Sequence, residues 1–383
     1  MTFHFGWVSP AVGKAAKRFV FFANFGWTGV DLFFVLSGFL ITGILLDTKS
    51  GPHYFRNFYA RRVLRIFPLY YGVLFVTLVI LPHIVAYDTP DLRLLLQSQG
   101  WLWAYSANVS VALRHGEFIW NPDWLRLGMV WSLAVEEHFY LVWPLLVYSL
   151  PRRSVLTLSL ALVVAAPVLR AAALYLGVSP VTVHCLTIFR ADSLALGGVL
   201  AVVLREPQML ARVRERSRWT AIAGAAVVAG LTARHRFFSK LDWDVQIIGF
   251  SALAVIFGSL LLWAVTAPES SRLRRVLSSP KLTFFGKYSY GAYLLHELLR
   301  PAFVRFFPVE ALKSVVGSEV LAFLTYVVLA TAVTFLLAVV TFQLYERPFL
   351  DLKRFFEYRP DPALDDARSG VSSEAQAALP GSD

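Results

Sequence analysis

The stretch WSLAVEEHFYLVWPLL, residues 131–146, decides how the rest of the sequence is interpreted. It lies in an apolar run from about Leu127 to Leu150, which is long enough as a helix to cross a bilayer. Yet the run holds Glu136 and Glu137. An ionised side chain near the centre of a bilayer costs roughly 2.5–3.5 kcal/mol on insertion scales. Two adjacent carboxylates therefore require a polar cavity, a partner of opposite charge or a chemical task.

The composition is typical of a membrane protein. The 383 residues are 57% hydrophobic and 16% charged, with a mean hydropathy of +0.59. The single cysteine, Cys185, excludes an internal disulfide and a cysteine metal cluster, and no two histidines have the spacing of a zinc site, so we expect no metal. The net charge of +11 is distributed beside apolar runs, which indicates membrane orientation and not binding of nucleic acid.

Nine segments are long and apolar enough to span a membrane. They lie at about 26–46, 66–86, 127–150, 154–176, 186–204, 219–233, 246–266, 284–300 and 320–345. The first residues, MTFHFGWVSPAVGKAAKR, resemble the outer half of one more helix. We therefore expect an all-α, polytopic transmembrane bundle of about ten spans with the first one truncated. Residues 1–358 form this membrane domain, and residues 359–383 are predicted to be a disordered cytoplasmic tail.

The basic residues predict the orientation of the bundle. If the loop after Leu46 is cytoplasmic, one set of alternating loops holds 21 lysines and arginines and the opposite set holds 12. The positive-inside rule then places the C-terminus in the cytoplasm, at a bacterial-type inner membrane. Residues 87–126 contain an apolar stretch that polar residues interrupt. We interpret it as a re-entrant or interfacial segment on the outer side, because a full span there would separate the arginine-rich loops.

Helical spacing distinguishes the two glutamates. Glu136 shares a helix face with Tyr140, whereas Glu137 shares one with leucines. We expect Glu136 to act in a cavity that opens to the outer side, and Glu137 to be structural. The alternative is that both glutamates pair with arginines such as Arg170 or Arg190 and hold the bundle together.

A group of arginines lies at the predicted cytoplasmic end of the second span, in FYARRVLRIFPLYY at residues 58–71. A guanidinium binds phosphate through two parallel hydrogen bonds, and nearby aromatic rings can stack on an adenine. A cytoplasmic phosphorylated donor could therefore be held here by Arg61, Arg62 and Arg65. The alternative is that these side chains anchor the helix among lipid headgroups. Spacing alone does not decide between the two.

An aspartate occurs near the outer end of the first predicted span, in GVDLFFVLSGFLIT at residues 29–42. Asp31 could orient a histidine or cap the start of its helix, and capping is the commoner use. His4 is the histidine to consider, because an imidazole beside a carboxylate can act as a general base near neutral pH.

Three further stretches contain polar residues. FRADSLALGG, at 189–198, brings Arg190, Asp192 and Ser193 into an apolar helix, where we expect an ion pair and polar packing. In YERPFL, at 345–350, Pro348 is expected to stop the last helix. GKYSYGAYLLHE, at 286–297, places three polar side chains on one helix face that could line a polar acceptor groove. They are Ser289, Tyr293 and His296.

Together these stretches resemble the motifs of the acyltransferase 3 family of integral-membrane O-acyltransferases. They occur in the family's order, over about Phe3–Leu350. The resemblance implies transfer of an acyl group, often acetyl from acetyl-CoA, to hydroxyls of extracytoplasmic carbohydrates. Acyl-CoA is then a co-substrate, with no bound cofactor. The other partners are a carbohydrate or glycolipid acceptor and the lipid bilayer.

The resemblance also implies roles for particular residues. The CoA phosphates would be bound by Arg61, Arg62 and Arg65. His4 matches the family's histidine and would act as general base on the acceptor hydroxyl, with Asp31 or Glu136 orienting it. The arginine that normally precedes this histidine would fall before residue 1, so an inactive, truncated homologue is one alternative. A proton-coupled transporter that uses the buried acids is the other.

Overall fold

The computed structural model describes residues 25–84, 89–119 and 125–358. Within these ranges the chain is helical and contains no strand, and nine helices have at least 16 residues. They are α1 (Gly29–Asp47), α2 (Tyr54–Phe75), α3 (Val130–Ser149), α4 (Arg152–Tyr175), α5 (Thr187–Val203), α6 (Pro207–His235), α7 (Phe250–Val265), α8 (Pro280–Phe306) and α9 (Glu319–Thr341). Each corresponds to one predicted span, so the all-α prediction is confirmed.

Six helical stretches in the described ranges are long and apolar enough to cross a membrane. They are Phe25–Asp47, Tyr54–Ile84, Arg152–Tyr175, Pro180–Val203, Val245–Val265 and Glu319–Phe355. The long helices α3, α6 and α8 are outside this set, and each carries charged side chains along its length. The chain is a multi-pass membrane protein.

Two helices extend further than the sequence predicts. α2 begins at Tyr54, about three turns before the predicted span, because its basic first half continues the same helix. The last helix does not stop at Pro348. It continues from α9 through a π-helical turn at Phe342–Glu346 and the helix Arg347–Asp351. Pro348 lies in the first turn after the π-helical turn, where its missing N–H group is tolerated.

The helices α1 and α5 are in direct backbone contact. A Cβ atom at Gly38 would overlap the carbonyl group of Leu194, and one at Gly197 would overlap that of Val35. Small residues allow this approach, which is a common way for helices to associate in membranes. The close contact fixes the distance between the charged side chains that these two helices carry.

Residues 90–119 do not form a span. They are divided among the short helices Pro90–Gln97, Gly100–Trp103 and Ala107–Leu113, none of which is long enough to cross a bilayer. The second of these helices packs on α2, because the Tyr70 hydroxyl donates a hydrogen bond of 2.8 Å to the carbonyl of Leu102. The prediction that this region is not a full span is confirmed.

Contacts between loops bring several basic residues to one face of the bundle. Arg205, after α5, donates to the carboxylate of Asp47 at the end of α1, with a shortest distance of 2.6 Å. Arg152 pairs with Glu206 at 3.0 Å. Lys49 donates a hydrogen bond of 2.6 Å to the backbone carbonyl of Leu150, the residue after α3. Burial lowers the pKa of Lys49. We call this end the basic face. The starts of α2, α4 and α6 lie there.

Candidate functional site

A cavity of about 450 Å³ lies among α1, α2, α3, α8 and α9. Its lining includes Gly26 and Trp27, just before α1, and Arg62 and Arg65, in the first half of α2. Because α1 ends and α2 begins at the basic face, these two groups belong to opposite halves of the bundle. The cavity therefore runs along the helix axes, from the half of the bundle near the basic face into the opposite half.

Glu136 lies between the two ends of this cavity and is only 4% exposed. Ser37 donates a hydrogen bond of 2.7 Å to its Oε1 atom, and the Tyr140 hydroxyl donates to the same atom. The guanidinium of Arg62 lies 5.9 Å from the centre of the Tyr140 ring, and its charge acts on the carboxylate. Two hydroxyl donors and one cation thus offset the cost of burying this acid. Within the described ranges, no hydrogen bond reaches Oε2.

Glu137 faces away from the cavity. Its charge acts on a group of tyrosines from α2 and from the loop at Tyr105, which include Tyr70 and Tyr71. Its Oε1 atom is buried and accepts no hydrogen bond from the described residues. The expectation that only Glu136 faces a cavity agrees with this placement.

The structure divides the predicted arginine trio. Arg62 and Arg65 line the cavity, and Arg65 lies 3.9 Å from the carboxylate of Glu346. Arg61 does not. Its Nη1 atom donates to the backbone carbonyls of Lys353 and Phe356, both at 3.1 Å. Arg62 and Arg65 are three residues apart, so they share the helix face that lines the cavity. Arg61 lies on a neighbouring face, which the C-terminal segment covers.

The three predicted acceptor-groove residues all line this cavity: Ser289, Tyr293 and His296. The Tyr293 hydroxyl is 2.5 Å from that of Ser132 and donates to the carbonyl of Met129 at 3.1 Å. Nδ1 of His296 lies 2.5 Å from the carbonyl of Tyr293. A carbonyl only accepts hydrogen bonds, so Nδ1 carries the hydrogen, and in a neutral imidazole Nε2 is then the proton acceptor.

A family model described as an acyltransferase domain matches residues 2–342. The chain belongs to the acyltransferase 3 family. The sequence motifs therefore identify its family correctly. No solved structure matches the chain significantly.

Three curated relatives show how far the similarity of this chain extends. The chain is 30% identical over 344 residues to the peptidoglycan O-acetyltransferase OatA of Listeria monocytogenes, covering 85% of this chain and 52% of that protein. It is 29% identical over 337 residues to YrhL of Bacillus subtilis, covering 85% and 51%. It is 29% identical over 287 residues to the O-acetyltransferase OatA of Staphylococcus aureus, covering 71% and 45%. The chain spans about half the length of these relatives.

Asp31 does not cap the start of α1. It is completely buried, and Arg190 donates to its Oδ1 atom at 2.5 Å, with the Ser193 hydroxyl at 3.3 Å. The residue at the cap position of α1 is Thr28, which makes no side-chain cap. Asp31 is not among the described residues that line the cavity. His4, its predicted partner, lies outside the described residues, so orientation of His4 by Asp31 stays a prediction.

A second ion pair lies beside the first. Arg170 donates to Asp192 at 2.8 Å, and the Ser251 hydroxyl bonds both side chains at 2.7 Å. The Phe250 ring lies 4.1 Å from the Arg190 guanidinium and 5.6 Å from that of Arg170. Both charges of FRADSLALGG therefore form ion pairs, as expected, and each pairs with a charge on another helix. The alternative that Arg170 or Arg190 neutralises the glutamates of α3 is excluded.

Sequence reasoning missed two residues of the site. Ser37 is one, and its hydroxyl in an apolar helix is a signal for a buried polar partner. Glu346 is the other, because an acid beside an apolar helix has to find a cation. Among the described residues, no group of three or more His, Cys, Asp or Glu side chains is placed to bind a metal ion.

Proposed function

We propose that this acyltransferase moves an acyl group, above all acetyl, from acyl-CoA at the basic face to a hydroxyl of a cell-wall carbohydrate at the opposite face. The observation that supports the proposal is a cavity with Arg62 and Arg65 towards one end, Trp27 at the other and Glu136 between them. The relatives include a peptidoglycan O-acetyltransferase and an O-acetyltransferase, which supports an O-acetyl product on a carbohydrate. The basic face is then cytoplasmic, as the positive-inside rule predicts.

The donor is held at the basic face by Arg62 and Arg65. The guanidinium of Arg65 lies 5.8 Å from the centre of the Tyr290 ring, and the Tyr290 hydroxyl donates to the carbonyl of Ile66 at 2.7 Å. This hydrogen bond fixes the ring beside the cation. Guanidinium groups beside a fixed aromatic ring are suited to a ligand that carries both phosphates and an adenine.

The reaction joins the acceptor oxygen to the carbonyl carbon of the thioester, and the carbon–sulfur bond breaks. The acceptor hydroxyl gives its proton to a general base, and the CoA thiolate leaves and takes up a proton. We assign His4 as the base and Glu136 as the group that orients it and stabilises the imidazolium. Glu136 takes this role in preference to Asp31, because Asp31 is already bonded to Arg190.

The acceptor is positioned by the polar face of α8. Tyr293 and Ser289 present hydroxyl groups to the cavity, and His296 presents an imidazole. Such groups both donate and accept hydrogen bonds, as the hydroxyls of a sugar require. Tyr293 is fixed by its bond to the carbonyl of Met129, which keeps this contact surface rigid.

The test is transfer of label from radioactive acetyl-CoA into a cell-wall fraction by membranes that contain the protein. The expected product is an ester that hydroxylamine cleaves, and it should be lost with His4→Ala and with Glu136→Gln. Glu137→Gln is the matched control, since its side chain lies on the other face of α3. If the parent protein forms no labelled ester with any glycan fraction, the proposed function is wrong.

A further inference from the structure

The last described residues pack on the arginine-rich part of α2. We call residues 352–358 the C-terminal clamp. Arg61 donates to two of its carbonyls, those of Lys353 and Phe356, and Asn57 donates to that of Glu357 at 2.8 Å. The aromatic rings of the clamp add to these bonds, because the Arg61 guanidinium lies 4.8 Å from the centre of the Tyr358 ring. The clamp therefore covers the arginine-rich part of α2 at the basic end of the bundle, and Arg61 holds the clamp in place.

This packing brings a fourth cation to the arginine cluster. The ammonium group of Lys353 is half-buried and is repelled by the charges of the three arginines. Within the described ranges Lys353 has no ion-pair partner. The carboxylates around the cluster act on the arginines: that of Glu346 lies 3.9 Å from Arg65, and the charges of Glu136 and Glu137 act on Arg62.

Like charges held together in a partly buried site repel one another, so this arrangement costs free energy in the protein alone. The clamp nevertheless holds the Lys353 backbone 3.1 Å from a guanidinium by a direct hydrogen bond. The cost is offset when a multivalent anion binds among the cations. Phosphate groups are such anions, and lysine binds them as a compact point charge.

We propose that Lys353 is a further donor-binding residue, which contacts a phosphate group of the nucleotide part of the donor together with Arg62 and Arg65. This inference rests on the proposed function, because that function supplies a nucleotide thioester at the basic face. It assigns different tasks to the members of the cation cluster. Arg61 is a positioning residue that holds the clamp, and Lys353 is the cation that the clamp delivers.

The test is the affinity of the purified full-length protein, in nanodiscs of neutral lipid, for acetyl-CoA. Calorimetry compares Lys353→Gln and Lys353→Arg with the parent protein. We expect Lys353→Gln to weaken binding about tenfold and Lys353→Arg to restore most of the affinity. The matched control is Arg354→Gln, because Arg354 is the next residue, is exposed and lies 4.9 Å from the exposed Phe355 ring. This variant should bind acetyl-CoA as the parent protein does.

Two further measurements separate donor binding from a structural role. Acetyl-pantetheine with no nucleotide should bind the parent protein and Lys353→Gln equally, because it lacks the phosphates that Lys353 would contact. Without donor, Lys353→Gln should unfold at the same temperature as the parent protein or a higher one, since a repelling charge has been removed. A lower unfolding temperature would mean that Lys353 supports the fold, and the inference would be wrong.

The outcomes for the inference and for the proposed function are distinguishable. If Arg65→Gln weakens acetyl-CoA binding and Lys353→Gln does not, the donor site stands and the role of Lys353 is wrong. The phosphate that Lys353 faces would then be a lipid headgroup. If the parent protein does not bind acetyl-CoA at all, the proposed donor and this inference both fall.

Discussion

Two groups of charged side chains are buried in this bundle, and they differ in whether the carboxylate forms a direct ion pair. In the closed network, Asp31 and Asp192 each have an arginine within 2.8 Å, and both pairs come from helices in close contact. In the cavity, Glu136 is held by two hydroxyls and Arg62 acts on it without a hydrogen bond. The same residue types thus serve two purposes, and a carboxylate that keeps an oxygen towards a cavity is the one suited to chemistry.

The physical reason for the difference is the neighbourhood of each helix. α1 and α5 meet through glycines, so no space for a substrate remains between Asp31 and Arg190. α3 and α8 face each other across the cavity instead. A closed ion pair contributes to the fold, whereas the open site can bind and release a ligand.

The largest effect is expected from Glu136→Gln. The amide keeps the shape of the side chain but cannot stabilise an imidazolium, so acetyl transfer should fall about 10²- to 10⁴-fold. The unfolding temperature should change little. Initial rates with labelled acetyl-CoA measure acetyl transfer, and thermal unfolding in detergent measures the unfolding temperature. Equal activity in Glu136→Gln and Glu137→Gln would remove the distinction between the two sides of α3.

A loss of stability, and not of chemistry, is expected from Asp31→Asn. It leaves the charge of Arg190 buried without its partner, which costs about 3–5 kcal/mol of the free energy of unfolding. The double variant Asp31→Leu, Arg190→Met should recover most of this loss, because it removes both charges. If the double variant is stable but inactive, Asp31 takes part in the reaction and the closed network is more than a structural element.

The sequence predicts the helices better than their partners. Apolar runs identify the positions of all nine long helices, because the cost of burying charge in lipid acts on each segment by itself. Only six stretches in the described ranges, however, are long and apolar enough to cross a membrane. The shared helix face of Ser289, Tyr293 and His296 also follows from the sequence, because helical spacing depends on one segment by itself. Which arginine pairs with Asp31 does not follow, because it depends on the close contact of α1 with α5. The separation of Arg61 from Arg65 depends in the same way on a clamp from the end of the chain.

A smaller effect is expected when the two arginines are compared directly. Arg65→Gln should raise the KM for acetyl-CoA about tenfold, because a charge-assisted contact to a phosphate is lost. Arg61→Gln should lower the unfolding temperature, since it releases two carbonyls of the C-terminal clamp, and should raise the KM less than Arg65→Gln does, because Arg61 acts on the donor only through the clamp. Steady-state kinetics and thermal unfolding of both variants provide the comparison. The reverse assignment, with KM raised only by Arg61→Gln, would contradict the placement of the donor.

The smallest effect is expected at an ion pair near the surface. Burial by itself raises the pKa of Asp244, but the hydrogen bond from His235 at 2.7 Å and its charge outweigh this and lower the pKa below 3.8. A lowered pKa stabilises the fold above the unfolded value and is lost as the pH falls through the folded value. Asp244→Asn should therefore reduce stability by less than about 1 kcal/mol at pH 7. In thermal unfolding across a pH series, the difference should begin to shrink near pH 4 and should disappear once the pH is below the folded pKa of Asp244. If the stability difference between Asp244→Asn and the parent protein persists in acid, it comes from packing and not from the ion pair.

The proposed function requires one cavity to connect a donor at the basic face with an acceptor at the opposite face. Inside-out membrane vesicles test this, with labelled acetyl-CoA added outside and a cell-wall glycan acceptor enclosed in the lumen. We expect the enclosed glycan to become labelled by the parent protein and to stay unlabelled with Glu136→Gln. Labelling only when acceptor and donor are supplied together on the outer surface of these vesicles would contradict the proposed function.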